Sequence, residues 1–120
     1  MEGLNGVEIS VSILSKATFD IAFFYRVLME LPESAGLTPL GPPVIYSFPT
    51  TQVPGENGFT GTNVMIQSHV AFHHWPANGF IHLTISSCKP VDEAALYRWI
   101  CRKFKGNRKT VKMASLKWRN

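Results

Sequence analysis

Side chains able to do acid–base, nucleophilic or metal chemistry are concentrated between Gln67 and Cys88. Ser68 supplies a hydroxyl, Cys88 supplies a thiol, and all four histidines of the chain lie between them. A hydroxyl near imidazoles suits nucleophilic attack, and a thiol can give or take a proton. Imidazoles and thiolates are also zinc ligands. The segment therefore predicts catalysis or a metal site, provided that the fold brings these groups together.

A turn signal at 76–79, Pro-Ala-Asn-Gly, predicts how the groups meet. Extended segments flank it, so a hairpin with a four-residue loop is expected. Its register gives three facing pairs: Trp75 with Phe80, His73 with His82, and Gln67 with Cys88. Ser68 and Cys88 are then close in space, although twenty positions separate them in the sequence.

Strand parity sets a condition on the histidines. His69 and His73 are an even number of residues apart, so both point to the same face of a strand. Ser68 has the opposite parity and points to the other face. Bringing His73 to the Ser68 hydroxyl therefore requires a bulge or a break in the chain nearby.

Three chemical interpretations of the segment remain open at this point. A zinc site would draw on five ligands: His69, His73, His74, His82 and Cys88. Their spacing matches neither C-x-x-C nor H-E-x-x-H, so no metal is expected. A serine or cysteine hydrolase lacks its G-x-S-x-G elbow and its triad order. The third interpretation is structural, with the histidines as hydrogen-bonded strand residues.

Hydrophobic periodicity predicts the elements that position these residues. The expected strands are Val7–Ile13, Val44–Phe48, Thr62–Gln67, His69–Trp75, Phe80–Ser87 and Thr110–Leu116. A first helix is expected over Thr18–Leu31, ended by Pro32 and Gly36, and a second opens at Pro90 and carries Phe104 on its apolar face. A flexible loop is expected over Pro49–Gly58. This order predicts an α+β fold, a two-layer sandwich with a mostly antiparallel sheet and two helices packed on one face.

Size and composition limit the class of protein. With 120 residues and 13.4 kDa, a single domain spanning residues 1–120 is expected. Hydrophobic residues make up 45% and charged residues 17%, which excludes a disordered or fibrous chain. No apolar run is long enough for a membrane helix, and the N-terminus lacks the pattern of a signal peptide. Two cysteines are no disulfide framework, so a reduced, cytoplasmic setting is expected.

Charge is distributed unevenly along the chain. The net charge is +4, and nine of the twelve basic residues lie from Arg98 onwards. A basic region of this kind can bind a polyanion. No aromatic ladder or arginine-rich motif accompanies it, so a solvated surface is expected rather than a nucleic-acid interface.

One run of residues resembles a known family. Gln67-Ser-His-Val-Ala-Phe-His-His-Trp-Pro76, followed by Cys88, resembles the self-cleaving segment of the prokaryotic S-adenosylmethionine decarboxylases. That family carries Glu-Ser-His, a His five residues after the Ser, then Thr-Trp-Pro-Glu and a Cys at this distance. Thr60-Gly61 is similar to the family's Ser-Gly, and the order of strands and helices agrees from about Val7 to Leu116.

The resemblance implies an enzyme that makes its own pyruvoyl cofactor. The Ser68 hydroxyl would attack the Gln67 carbonyl, and the resulting ester would eliminate to dehydroalanine. Hydrolysis would leave a pyruvoyl group at the new N-terminus, with residues 1–67 as a β chain and 68–120 as an α chain. The pyruvoyl ketone would form a Schiff base with the substrate amine and accept electrons as carbon dioxide leaves.

The resemblance also implies roles for individual residues. His73 would serve processing, Thr60 would hold the intermediate of hydroxyl attack, and Cys88 would return a proton to the carbanion, because a thiol is mostly protonated at neutral pH. Candidate substrate-binding residues are His69, Val70, Phe48 and Phe59. A small-molecule substrate, a homodimer with active sites near the subunit boundary, and a place in polyamine (spermidine) biosynthesis are further implications.

Departures from the family pattern leave the substrate open. Gln67 replaces the usual Glu, and Ala77 replaces the carboxylate that is expected to bind ribose hydroxyls. The adenine-stacking aromatic aligns loosely with Val53, and the N-terminal Gly-Arg-His reads Gly6-Val-Glu. Two alternatives follow: a decarboxylase of a small amino acid such as ornithine or arginine, with Glu8 or Glu56 binding the cation, and an uncleaved, non-catalytic relative that binds a ligand or a partner.

Overall fold

Six strands and two helices make up the computed structural model, which describes residues 3–48 and 57–120. The strands are β1 Asn5–Leu14, β2 Val44–Phe48, β3 Gly58–Met65, β4 Ser68–Trp75, β5 Phe80–Ser87 and β6 Val111–Arg119. The helices are α1 Ile21–Ser34 and α2 Glu93–Phe104, and a short 3₁₀ turn, Pro76–Asn78, joins β4 to β5.

All six strands form one sheet in the order β2-β3-β4-β5-β1-β6. Every neighbouring pair is antiparallel. The α+β prediction is therefore confirmed, with the hairpin β4–β5 at the centre of the sheet. Neither helix in the described part of the chain is long and apolar enough to cross a membrane.

Both helices cover the same face of the sheet. Along β1, Val7, Ile9, Val11 and Ile13 are buried beneath them, while Glu8 and Ser10 point away. From α1, Phe24 stacks on Phe72 of β4 with ring centroids 4.2 Å apart. On α2, three residues of the predicted apolar face are buried: Leu96, Ile100 and Phe104. Period-two strands and amphipathic helices thus meet in one core.

The opposite face of the sheet, called here the open face, has no helix of the described residues packed on it. It carries polar side chains on the central strands and exposed apolar ones towards the edges, such as Tyr46 on β2 and Leu116 on β6. Tyr46 is 61% exposed and Leu116 is 69% exposed. An uncovered apolar area of this kind commonly marks a contact with another molecule.

The first helix differs from its prediction at both ends. It begins at Ile21, because the Asp20 side chain caps it by accepting a hydrogen bond from the Phe23 N–H at 2.8 Å. It continues through Pro32, which the sequence predicts as a breaker, as far as Ser34. Pro32 has no N–H for the Leu28 carbonyl, and the buried Asn63 side chain donates to that carbonyl instead, at 2.9 Å.

Strand boundaries also move. β3 begins at Gly58 rather than Thr62, and β6 continues to Arg119 rather than ending at Leu116. The predicted loop Pro49–Gly58 lies largely outside the described residues, as do Val53 and Glu56.

Candidate functional site

Ser68 is the first residue of β4 and lies at a tight turn. Met65 pairs with Ser68 across the turn, so only Ile66 and Gln67 connect the two strands. The Ser68 side chain points to the helix-covered face and is 4% exposed. Its hydroxyl is thus shielded from solvent while its neighbour Gln67 lies in an exposed turn.

The Ser68 hydroxyl is held by Cys88. The backbone N–H of Cys88 donates to Ser68 Oγ at 3.1 Å, and Ser68 Oγ contacts Cys88 Sγ at 3.5 Å as donor. The thiol also lies 3.7 Å from the Ile66 carbonyl oxygen. Two pairs of the predicted hairpin register are confirmed, Trp75 with Phe80 and His73 with His82, whereas the ladder begins at His69 with Ser86, so the third predicted pair, Gln67 with Cys88, lies beyond it. Hydroxyl, thiol and turn therefore form one cluster.

His73 lies on the open face and contacts Thr60. The two residues pair across β3 and β4, and Thr60 Oγ1 is hydrogen bonded to His73 Nδ1. Neither ladder of β4 contains a bulge, so His73 and Ser68 point to opposite faces, as parity predicts. They are five positions apart along the strand, which corresponds to about 16 Å. The uncut chain brings Thr60 and His73 together but does not bring His73 to Ser68.

The remaining substrate-binding candidates are scattered. His69 is exposed on the open face beside Ser68. Val70 is fully buried on the other face, so its side chain belongs to the core and only its backbone is available. Phe48 is 41% exposed at the far end of β2, and Phe59 packs against the core next to Phe24, with ring centroids 6.1 Å apart. One copy of the chain thus does not gather these four residues.

Glu8 forms a row with residues near the cluster. Its Oε1 accepts a hydrogen bond from Ser86 Oγ at 2.6 Å. Glu8 pairs with Ser86, and Ser86 pairs with His69, so the three side chains cross the open face side by side. The sequence suggests Glu8 only as an available carboxylate; the register shows that it lies on the face that carries His69.

Two further histidines have different surroundings. His82 Nε2 is 2.9 Å from Ser10 Oγ on the open face. His74 is 6% exposed on the helix-covered face, and burial lowers its pKa. Its Nδ1 has no hydrogen-bond partner among the described residues. Because the histidines are split between the two faces, they form no ligand cluster, and the described residues contain no group of three or more potential ligands placed to hold a metal.

Comparison with known proteins identifies the family of the chain. A family model described as S-adenosylmethionine decarboxylase matches residues 10–116. The chain belongs to this family. Among curated proteins, no significant match is found.

A solved structure shows the same fold. The crystal structure of the adenosylmethionine decarboxylase from Aquifex aeolicus superposes with a TM-score of 0.68 and 21% sequence identity. The match covers 96% of this chain and 91% of that one. Family membership implies a decarboxylase, and the likeness in structure extends over nearly the whole chain.

Proposed function

We propose that the chain is a pyruvoyl-dependent S-adenosylmethionine decarboxylase that cleaves itself between Gln67 and Ser68. The observation that carries the proposal is the cluster at the start of β4, in which Cys88 binds the Ser68 hydroxyl next to the turn to be cut. Cleavage would give a β chain of residues 1–67 and an α chain of residues 68–120. The activity would supply decarboxylated S-adenosylmethionine for spermidine synthesis in the cytoplasm.

Self-cleavage would begin at the Ser68 hydroxyl. Its oxygen attacks the Gln67 carbonyl carbon, the C–N bond breaks, and the hydroxyl proton ends on the released amine, which leaves an ester. Loss of the Cα proton of residue 68 then expels Gln67 as a carboxylate. Water then hydrolyses the resulting dehydroalanine: its oxygen becomes the keto oxygen and the amine leaves as ammonia. The α chain therefore begins with a pyruvoyl group.

The residues at this end of the sheet fit such a group. Ser68 begins a central strand, so a new terminus there stays anchored by the pairing of His69 with Ser86. When formed, the pyruvoyl group supplies a carbonyl that reacts with the substrate amine and takes up electrons during decarboxylation. Cys88 is adjacent and carries a proton that it can give to the substrate carbon after carbon dioxide has left.

His73 and Thr60 would assist the processing step as a hydrogen-bonded pair. Because they face away from Ser68 in the uncut chain, this role requires residue 68 to leave its ladder position. Ester formation lengthens the connection between β3 and β4 by one atom, and fraying of β4 from Ser68 towards His73 must supply the rest of the movement. We therefore assign the pair to elimination rather than to the initial attack.

A homodimer would complete the site. Phe48 pairs with Gly58 at one end of β3, whereas Met65 pairs with Ser68 at the other end, about 23 Å away. Two open faces related by a two-fold axis can bring the Phe48 end of one copy to the Ser68 end of the other. The same contact would cover exposed apolar side chains such as Val64.

A small basic amino acid, ornithine or arginine, is the second candidate substrate. Ala77 offers no carboxylate for ribose hydroxyls, which removes one contact to a nucleoside. Ser86 binds the Glu8 carboxylate in the row that also contains His69. Two strand spacings, or about 10 Å, separate Glu8 from His69. A carboxylate there suits an ammonium or guanidinium group.

Intact mass spectrometry tests the proposal directly. The purified chain is expected to give two fragments, with the α chain carrying a carbonyl that borohydride reduces. Ser68→Ala should give one uncut chain and no carbon dioxide release. Substrates to compare are S-adenosylmethionine, ornithine and arginine. A parent chain that stays intact and retains its serine would exclude the pyruvoyl enzyme and favour the non-catalytic alternative, a domain that binds a ligand or a partner.

A further inference from the structure

The residue at the bond to be cut has an unusual backbone conformation. Gln67 has φ = +55°, in the left-handed region that favours glycine. Among the described non-glycine residues, only Lys105 shares this property, with φ = +54° at the C-terminus of α2. Lys105 lies in a helix cap, where left-handed residues are common, whereas Gln67 occupies a hairpin turn.

The turn itself is also of an unfavourable kind. Two-residue hairpin loops favour turns with positive φ at their first central residue, because these match the twist of the strands. Here that residue, Ile66, lacks positive φ, and the second, Gln67, has it. The left-handed conformation is energetically unfavourable for glutamine, because its Cβ is crowded by the backbone.

The surrounding structure holds the turn in place. Met65 and Ser68 on either side are both buried, at 1% and 4% exposure. Ser68 Oγ is bound by the Cys88 N–H, and the Cys88 thiol contacts the Ile66 carbonyl oxygen. Strained backbone persists where its neighbours determine it in this way, and such strain is found at functional sites.

We propose that Gln67 is a positioning residue whose strained backbone speeds self-cleavage. The inference rests on the proposed function. When the Ser68 oxygen replaces the backbone nitrogen on the Gln67 carbonyl carbon, the path to the next Cα becomes one atom longer. The longer connection frees Gln67 from the left-handed region, so strain present in the uncut chain is released as the ester forms.

Single-turnover cleavage of freshly refolded full-length chain, followed by intact mass, tests this role. Gln67→Gly removes the strain and is expected to slow cleavage about five- to thirtyfold. Gln67→Asn, which tolerates the left-handed region better than glutamine, should fall between the two. Lys105→Gly is the matched control, because it relieves a similar conformation far along the chain and should cleave at the parental rate.

Slow cleavage by Gln67→Gly could come from relief of strain or from a less rigid turn. Thermal unfolding in a Ser68→Ala background distinguishes these two causes. In these uncut chains, Gln67→Gly and Lys105→Gly should both raise Tm, by about 2–5 °C. Parental cleavage by Gln67→Gly would overturn the inference, as would slow cleavage without a gain in Tm. A parent chain that never cleaves would defeat the proposed function itself, a result distinct from either of these.

Discussion

Ser68 and Cys88 meet through two atoms of the cysteine, its backbone N–H and its thiol. The N–H donates to the serine oxygen and so places a lone pair and the hydroxyl proton in defined directions. The Cys88 thiol accepts the hydrogen bond that the Ser68 hydroxyl donates. The backbone contact survives any substitution of the cysteine side chain, so the two contacts can be tested separately.

Cys88→Ala is expected to separate processing from decarboxylation. The backbone hydrogen bond to Ser68 Oγ remains, so self-cleavage should continue at least in part. Turnover should fall by about 10²–10⁴, the usual contribution of a positioned acid. Intact mass measures the first effect and carbon dioxide release the second. Cys101→Ala, which alters the half-buried thiol on α2, should leave both unchanged; normal turnover by Cys88→Ala would remove Cys88 from its role.

The hairpin around this contact was predictable because it depends on local rules. A Pro-Ala-Asn-Gly turn fixes the register of β4 with β5, and strand parity then puts His73 and Ser68 on different faces. Other features depend on residues distant in sequence. The continuation of α1 through Pro32 requires Asn63, and the turn that contains the left-handed Gln67 is held by Cys88, which contacts Ser68 Oγ and the Ile66 carbonyl oxygen. No sequence pattern near Pro32 or Gln67 predicts these two conformations.

Thr60 and His73 are expected to act as one unit in processing. Thr60→Val and His73→Gln should each slow cleavage, with His73→Gln the more severe by up to about 10²–10⁴. Because the two side chains share a hydrogen bond, the double variant should cleave no more slowly than His73→Gln alone. Time courses of intact mass give the three rates.

His82→Gln is the control for that cycle, since His82 lies on the same open face but is bonded to Ser10. It should cleave like the parent. Parental rates for both single variants would exclude the pair from processing and leave only the neighbours of the Ser68 hydroxyl.

His74 is expected to make the fold sensitive to acid. Burial lowers its pKa below the usual 6.5, so the unfolded chain binds a proton more readily than the folded one. Stability is therefore fully present above pH 6.5 and falls as pH decreases towards the lowered pKa, by at most about 1.4 kcal/mol per pH unit. Denaturant unfolding of the Ser68→Ala chain between pH 7.5 and pH 5.5 measures this slope.

His74→Phe, in the same Ser68→Ala background, should flatten the pH dependence. The site already contains Phe24 and Phe59, with ring centroids 4.9 and 5.9 Å from the imidazole, so an aromatic replacement suits it. Equal slopes with and without the imidazole would assign the acid sensitivity to other groups.

Asn63→Ala is expected to destabilise the fold by about 1–3 kcal/mol, because the Leu28 carbonyl loses its donor in a buried setting. Pro32→Ala supplies a helical N–H to the same carbonyl. The cost of removing Asn63 should therefore be smaller in the Pro32→Ala background than in the parent. Denaturant midpoints of the four chains, each also carrying Ser68→Ala, complete the cycle, and strict additivity would contradict the shared acceptor.

Glu8→Gln is expected to discriminate between the two candidate substrates. The amide keeps the shape of the carboxylate and can still accept a hydrogen bond from Ser86, but it loses the charge. Ornithine and arginine carry an ammonium or guanidinium group that forms a charge-assisted hydrogen bond with a carboxylate, and losing such a bond costs about 1.5–3 kcal/mol, or roughly 10- to 150-fold in kcat/KM. The sulfonium of S-adenosylmethionine has no proton to donate, so kcat/KM for this substrate should change much less.

Ser86→Ala, which keeps the charge and frees the carboxylate, should affect the basic amino acids less than Glu8→Gln does. Equal losses on all three substrates would mean that Glu8 acts on a group they share, such as the α-amine, and would remove it as a specificity determinant.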